Sequence, residues 1–148
     1  MKAVIQRVSR ASVTIAAREH SRIGPGILVL LGVEKGDTVE DATTLAKKIV
    51  ELRIFEDEAG KMNRALADVA GGLLLVSQFT LYGDTSRGRR PGFDAAMPPA
   101  EAEPLYDRVV ALARERHAVV ETGRFRADMR VLVDNDGPVT LLLETPTA

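Results

Sequence analysis

Residues 27 to 33, Ile-Leu-Val-Leu-Leu-Gly-Val, form an almost uninterrupted apolar run. The run is too short for a typical helix and lacks the alternation of a half-wetted strand, so it predicts a central strand covered on both faces. Gly24-Pro25-Gly26 breaks the chain before it and Gly36-Asp37 ends it. Upstream, residues 2 to 15 alternate apolar and polar positions rich in Val and Ile, which predicts two strands with one wetted face.

Downstream, Thr38 and Asp41 have the spacing of a capping box, and Ala42, Leu45, Ile49 and Leu52 recur at helical intervals. A helix over about 39–51 follows. Arg53-Ile54-Phe55 leads into a polar turn at Glu56 to Gly60, and after Gly71-Gly72 the run Leu73 to Leu81 gives the strongest strand signal in the chain. That predicted strand carries Ser77-Gln78-Phe79-Thr80. Gly83 to Gly92, rich in Gly and Arg, predicts an exposed loop. Leu105, Val109, Leu112 and Ala113 predict a second helix whose start is set near Pro104, since an interior proline loses a hydrogen bond and clashes with the preceding turn. Strands over about 119–121 and 128–134, a turn at Asn135-Asp136-Gly137-Pro138 and a last strand, Val139 to Leu143, complete the reading. Without repeat or linker, residues 1–148 read as a single domain.

At 148 residues and 45% hydrophobic content, the chain suits one core burying about two-thirds of the unfolded surface. Lys2, Gln6 and Arg7 interrupt the N-terminal stretch, unlike a signal peptide, and no apolar run approaches the ~20 residues of a bilayer span. A soluble, cytoplasmic protein with no membrane partner is expected. The lack of cysteine removes disulfides, thiolate nucleophiles and Cys-based zinc sites. A net charge of −1 limits any nucleic-acid contact to a local one. Arg87, Arg89 and Arg90 form one basic cluster, and Arg124, Arg126 and Arg130 a second; each reads either as a solvated face or as a contact to a few phosphates.

Ordinary catalytic side chains are scarce. His20 lies beside a polar loop and His117 near the end of the second helix, so neither reads as the base of a triad, and no zinc-binding spacing occurs. Glu34, Glu56 to Glu58 and Asp134 to Asp136 read as turn and surface residues, and phosphate-binding glycine loops are missing. No cofactor or metal is expected. Two places carry polar groups for which folding alone gives little reason. Ser77, Gln78 and Thr80 interrupt a buried strand, where they either pair with neighbouring strands or line a site, because an unpaired buried polar group costs ~1–3 kcal/mol. Asp136-Gly137-Pro138 reads as a plain hairpin turn, and its composition does not decide the isomer of the Gly-Pro bond.

Several segments together resemble one known family. They are Ile-Gln-Arg-Val at 5 to 8, Ala-Ser-Val at 11 to 13, Leu-Leu-Gly-Val-Glu at 30 to 34 and Arg-Ile-Phe at 53 to 55. Gly-Lys-Met-Asn at 60 to 63, Ser-Gln-Phe-Thr-Leu at 77 to 81, Thr-Gly-Arg-Phe at 122 to 125 and Asn-Asp-Gly-Pro-Val-Thr at 135 to 140 follow. In this order and spacing, the chain resembles the D-aminoacyl-tRNA deacylase family over nearly its full length. The resemblance implies an α+β, β-rich fold with mixed and antiparallel sheets around a barrel-like core and two main helices. It also implies a homodimer in which Gly137-Pro138, held cis, inserts into the partner's pocket facing Ser77 to Thr80. The substrate so implied is the acceptor end of D-aminoacyl-tRNA, and glycyl-tRNA mischarged on tRNA-Ala would also be hydrolysed. Rigid main chain rejecting an L side chain by collision would discriminate beyond the ~10- to 200-fold that side-chain pockets reach for a methylene.

For catalysis, the resemblance implies that the terminal ribose 2′-hydroxyl assists attack on its own ester. Ser77, Gln78, Phe79 and Thr80 would position the substrate, with the Phe79 and Thr80 amides donating to the developing oxyanion. The alternative, Thr80 as a covalent nucleophile, needs an adjacent base, and no histidine lies near it in sequence. A third reading is a homodimeric module that grips a tRNA end without turnover. Two positions depart from the family pattern: Gly92, where Ser often precedes the phenylalanine, and Pro104, where a helix former is usual.

Overall fold

The computed structural model describes residues 1–146. Its central feature is β1 (Lys2–Ile15), which pairs antiparallel on one edge with β3 (Gly26–Gly32) through residues 2–8 and with β2 (Arg18–Ile23) through residues 11–15. The sequence reading of two strands here is corrected to one. The polar pair Ser9-Arg10, exposed, falls where β1 exchanges β3 for β2, so a change of partner rather than a turn interrupts the apolar alternation.

Along its opposite edge β1 pairs antiparallel with β8 (Arg130–Glu144). β3 continues the sheet in parallel with β6 (Gly72–Ser77), and β6 with β7 (Val120–Thr122). Ser21 Oγ of β2 donates to the Thr122 carbonyl of β7 at 2.7 Å. This bond joins the two ends of the strand order β2-β1-β3-β6-β7, curling the sheet into a nearly closed barrel. A small separate ladder pairs β4 (Phe55–Glu56) with β5 (Met62–Arg64).

Both faces of β3 and β6 are covered, as the apolar run 27–33 predicts. Leu28, Leu74 and Val76 join Val8, Val13 and Ile23 inside the barrel. Ile27, Val29, Leu31, Leu73 and Leu75 face outward under two helices that pack on each other, α1 (Val39–Glu51) and α2 (Pro99–Arg116). Two strands this crowded must approach closely: a Cβ at Gly26 would lie 1.9 Å from the Gly72 carbonyl oxygen. The capping box of α1 forms in both halves, Asp41 N–H to Thr38 Oγ1 at 3.4 Å and Thr38 N–H to Asp41 Oδ2 at 2.8 Å.

Three further expectations are corrected. The strand over Leu73 to Leu81 ends at Ser77, and Phe79–Tyr82 forms a 3-10 turn. The second helix starts at Pro99, with Pro104 inside it. Proline at the first helical position needs no N–H, and that role belongs to Pro99; Pro104 sits on the exposed face, where the carbonyl it leaves unpaired meets water. Finally, Asn135 to Pro138 does not reverse the chain. The strands read over 128–134 and 139–143 are one strand, β8, interrupted by a bulge.

Candidate active site

β3, β6 and β7 run parallel, so their carboxyl ends open on the same side of the sheet, where ligands of parallel sheets characteristically bind. The segments leaving those ends enclose an open cleft of about 650 Å³. Leu31 and Val33 contribute from the end of β3, Val76 to Phe79 from the end of β6, and Phe125 to Met129 from the segment after β7. The start of α2 closes the remaining side with Met97, Pro98, Ala102 and Tyr106. The Tyr106 hydroxyl donates to the Leu75 carbonyl at 2.8 Å, and burial pushes this phenol up, so it is a fixed strut and not an acid of the cleft.

Ser77, Gln78 and Phe79 line the cleft, and Thr80 follows them exposed at its mouth. Main-chain bonds fix this turn: Gln78 N–H donates to the Leu31 carbonyl at 2.8 Å, Leu81 N–H to Gln78 O at 3.3 Å and Gly83 N–H to Thr80 O at 3.0 Å. Gly32 permits the close approach, since a Cβ there would stand 3.1 Å from the Gln78 carbonyl oxygen. Phe79 is 59% exposed and its ring meets Phe93 edge-to-face, with centroids 5.1 Å apart. The first amides of such a turn have no carbonyl one turn back, and those of Phe79 and Thr80 donate to no carbonyl among the described residues.

The Thr80 hydroxyl accepts a hydrogen bond from Gln78 Nε2. A carboxamide cannot take a proton at neutral pH, so this contact orients the hydroxyl without activating it. His117 Nε2 donates to the Gly71 carbonyl at 2.6 Å, His20 is exposed on β2, and neither lines the cleft. The site thus offers main-chain donors, an orienting amide and an apolar, aromatic lining.

Gly137 and Pro138 occupy the bulge of β8, exposed and outside the lining of the cleft. Gln6 pairs with Thr140 and Val8 with Asn135, so only Arg7 faces the residues Asp136 to Val139. The Gly137-Pro138 bond is cis and Gly137 has φ +132°. Arg7 Nε donates to the Asp136 carbonyl at 3.1 Å and Nη1 to the Ile54 carbonyl at 2.8 Å. Asn135 closes the bulge from within, its Oδ1 accepting from Val139 N–H at 3.0 Å and its Nδ2 donating to Thr140 Oγ1 at 2.9 Å. Within one chain, therefore, the two polar motifs are separate.

Sequence reasoning gave no role to Arg7, although the signal was present: Ala3, Ile5 and Arg7 follow one another on a face that is otherwise buried and apolar. It also did not anticipate the wall of Phe125 to Met129 or the contribution of α2. No periodic pattern marks the wall, and the helical period of α2 reports its packing but not which of its residues reach the cleft.

Residues 4–144 match the sequence model of the family described as D-Tyr-tRNA(Tyr) deacylase. The chain belongs to that family. It is 60% identical over 146 residues to the D-aminoacyl-tRNA deacylase of Geotalea uraniireducens, spanning 99% of this chain and 94% of that protein. It is 58% identical over 144 residues to the D-aminoacyl-tRNA deacylase of Xanthomonas axonopodis pv. citri, covering 97% and 99% of the two chains. Among solved structures, the c-Myc DNA Unwinding Element Binding Protein superposes with a TM-score of 0.94 at 43% identity, covering 99% of this chain and all, 100%, of that one. A probable eukaryotic D-amino acid tRNA deacylase superposes with a TM-score of 0.85 at 17% identity, over 96% and 97% of the chains, and shares the fold. The deacylase family is thus one of hydrolases on an α+β fold, and no helix among the described residues is long and apolar enough to cross a membrane.

Proposed function

We propose that this chain, as one domain, hydrolyses the ester of D-aminoacyl-tRNA to free amino acid and tRNA in the cytoplasm. Membership of the deacylase family carries the reading. The Ser77 to Thr80 turn at the mouth of the cleft supports its placement, because it presents amides unpaired among the described residues beside an aromatic lining. The acceptor end enters the cleft, and the Phe79 and Thr80 amides stabilise the oxyanion as the ester carbonyl is attacked. The terminal ribose 2′-hydroxyl of the tRNA assists that attack. This division of labour fits a Thr80 hydroxyl held only by the Gln78 amide, with no histidine in the cleft.

The working unit is a homodimer. β8 is a 15-residue edge strand on which Leu132 and Leu142 are 65% and 58% exposed, and long apolar edges of this kind are normally covered. A two-fold contact along it would carry the Gly137-Pro138 bulge of each protomer toward its partner. There the rigid bulge faces the Ser77 to Thr80 turn and leaves room for a D side chain but not an L one. Glycyl-tRNA mischarged on tRNA-Ala, lacking a side chain to collide, is hydrolysed as well. Incubation with D-tyrosyl-tRNA and L-tyrosyl-tRNA tests the activity: accelerated loss of the D-ester alone is expected, and no acceleration over the spontaneous rate refutes it.

A further inference from the structure

We propose that Arg126 binds the phosphate that joins the terminal adenosine to the rest of the acceptor strand. The inference rests on the deacylase reading and adds a substrate contact to it. Arg126 is the one cationic residue among those lining the cleft, and it is exposed. Among the described residues it forms no ion pair, a condition it shares with most of the arginines, but it alone has that charge at the cleft. A cation kept without a counter-charge at the rim of an apolar cleft suits an anion arriving with the ligand.

The backbone points the same way. Arg126 has φ +66°, in the left-handed region where glycine is the usual occupant. Its neighbours hold it there: Phe125 packs on Tyr106 with ring centroids 5.8 Å apart, Ala127 N–H donates to the Arg124 carbonyl at 3.2 Å, and Gly123 N–H to the Leu75 carbonyl at 3.1 Å. A bulky residue in a conformation suited to glycine, on a braced segment, is a pattern that clusters at ligand sites. The one carboxylate lining the cleft, Asp128, forms no ion pair with Arg126 and also borders a second hollow with Thr14 and Arg130. The Arg87 to Arg90 cluster lies outside the cleft.

The terminal adenosine bears its ester on the 3′ side and its phosphate on the 5′ side. With the ester at the Ser77 to Thr80 turn, the phosphate leaves the cleft past its rim, and the segment after β7, next to β6 in the sheet, supplies the cation there.

The probes are adenosine and adenosine 5′-monophosphate, as competitive inhibitors of D-tyrosyl-tRNA hydrolysis. The wild-type protein should bind the monophosphate about tenfold more tightly, and Arg126→Ala should erase that preference while leaving adenosine inhibition unchanged. Alanine tolerates this backbone, as Ala16, Ala17 and Ala70 at positive φ show. Arg126→Lys should recover most of the preference. The slope of log(kcat/KM) for D-tyrosyl-tRNA against log salt should become shallower by about 0.7 in Arg126→Ala, the loss of one contact to a single strand. A wild-type protein that does not favour the monophosphate, or a preference that survives in Arg126→Ala, overturns the assignment. Failure of the wild-type protein to hydrolyse D-tyrosyl-tRNA at all would instead refute the deacylase reading.

Discussion

Arg7 bridges two main-chain oxygens, donating from Nε to Asp136 at 3.1 Å and from Nη1 to Ile54 at 2.8 Å. A buried guanidinium in the sheet thereby holds a bulge that is itself exposed. Removing the side chain orphans the buried Ile54 carbonyl, at about 1–3 kcal/mol, while the Asp136 carbonyl on the exposed bulge turns to water. Arg7→Lys keeps a charge but not the planar fork needed to reach both oxygens. It should lower kcat/KM for D-tyrosyl-tRNA by about 10²-fold through a misplaced bulge. Arg7→Met should do the same and also lower the urea midpoint. Full activity in both variants would remove Arg7 from the site.

Gly137→Ala should be damaging although the position faces solvent. At φ +132° a side chain is strained, and the added Cβ would lie 2.8 Å from Val139 Cγ2 and 3.1 Å from Arg7 Nη2. A stability loss of roughly 1–3 kcal/mol is expected, with a fall in D-ester turnover measured beside the melting temperature. Unchanged turnover and selectivity would detach the bulge from substrate discrimination.

Thr80→Ala should retain activity within about tenfold of wild type, because its hydroxyl is oriented by an amide and not by a base. Loss of a true nucleophile costs on the order of 10⁶ in kcat. Single-turnover rates with D-tyrosyl-tRNA distinguish the two, provided circular dichroism shows the fold intact.

The tRNA itself carries the complementary prediction. Replacing the terminal adenosine by its 2′-deoxy form should slow hydrolysis by on the order of 10²–10⁴, the range of a lost general acid or base. Equal rates on both substrates would return the chemistry to the protein.

Alkaline stability should report on Tyr106. Burial raises its phenol above the ordinary value of 10.0, so the native state keeps a proton that the unfolded chain releases as pH passes that value. The unfolded state then binds fewer protons, and stability falls with rising pH from about 10 upward. Burial raises the Tyr82 phenol as well, so Tyr106→Phe should remove only about half of this slope in a urea-midpoint profile between pH 8 and 11, while costing about 1 kcal/mol at neutral pH through the lost bond to Leu75. An unchanged slope would show that Tyr106 is not responsible.

Local chemistry made parts of the fold legible. The α1 cap is fixed by two side chains three residues apart, and β3 by a run of apolar side chains that only a doubly covered strand accommodates. Legibility failed where two conformations share a composition. Phe79, Leu81 and Tyr82 suit a strand as well as the 3-10 turn they form, and nothing in the side chains marks Ser77 as the last ladder residue. Asp136-Gly137 carries the usual hairpin signal, yet the chain runs on because β1 pairs with β8 on both sides of it. The polar motifs stood out in the sequence because folding alone did not demand them. The wall at Phe125 to Met129 and the buried Arg7 acquire their positions only through pairing with distant strands.

The union of β1 with β8 has a consequence for how the molecule is made. Lys2 pairs with Glu144 and Thr14 with Arg130, so the sheet's middle strand waits for residues 130–144 to leave the ribosome before one of its edges is satisfied. Such high contact order slows folding and leaves an early strand open to misassociation during synthesis. Emergence of residues 130–144, rather than growth of the segments before them, should be the moment at which the barrel sets.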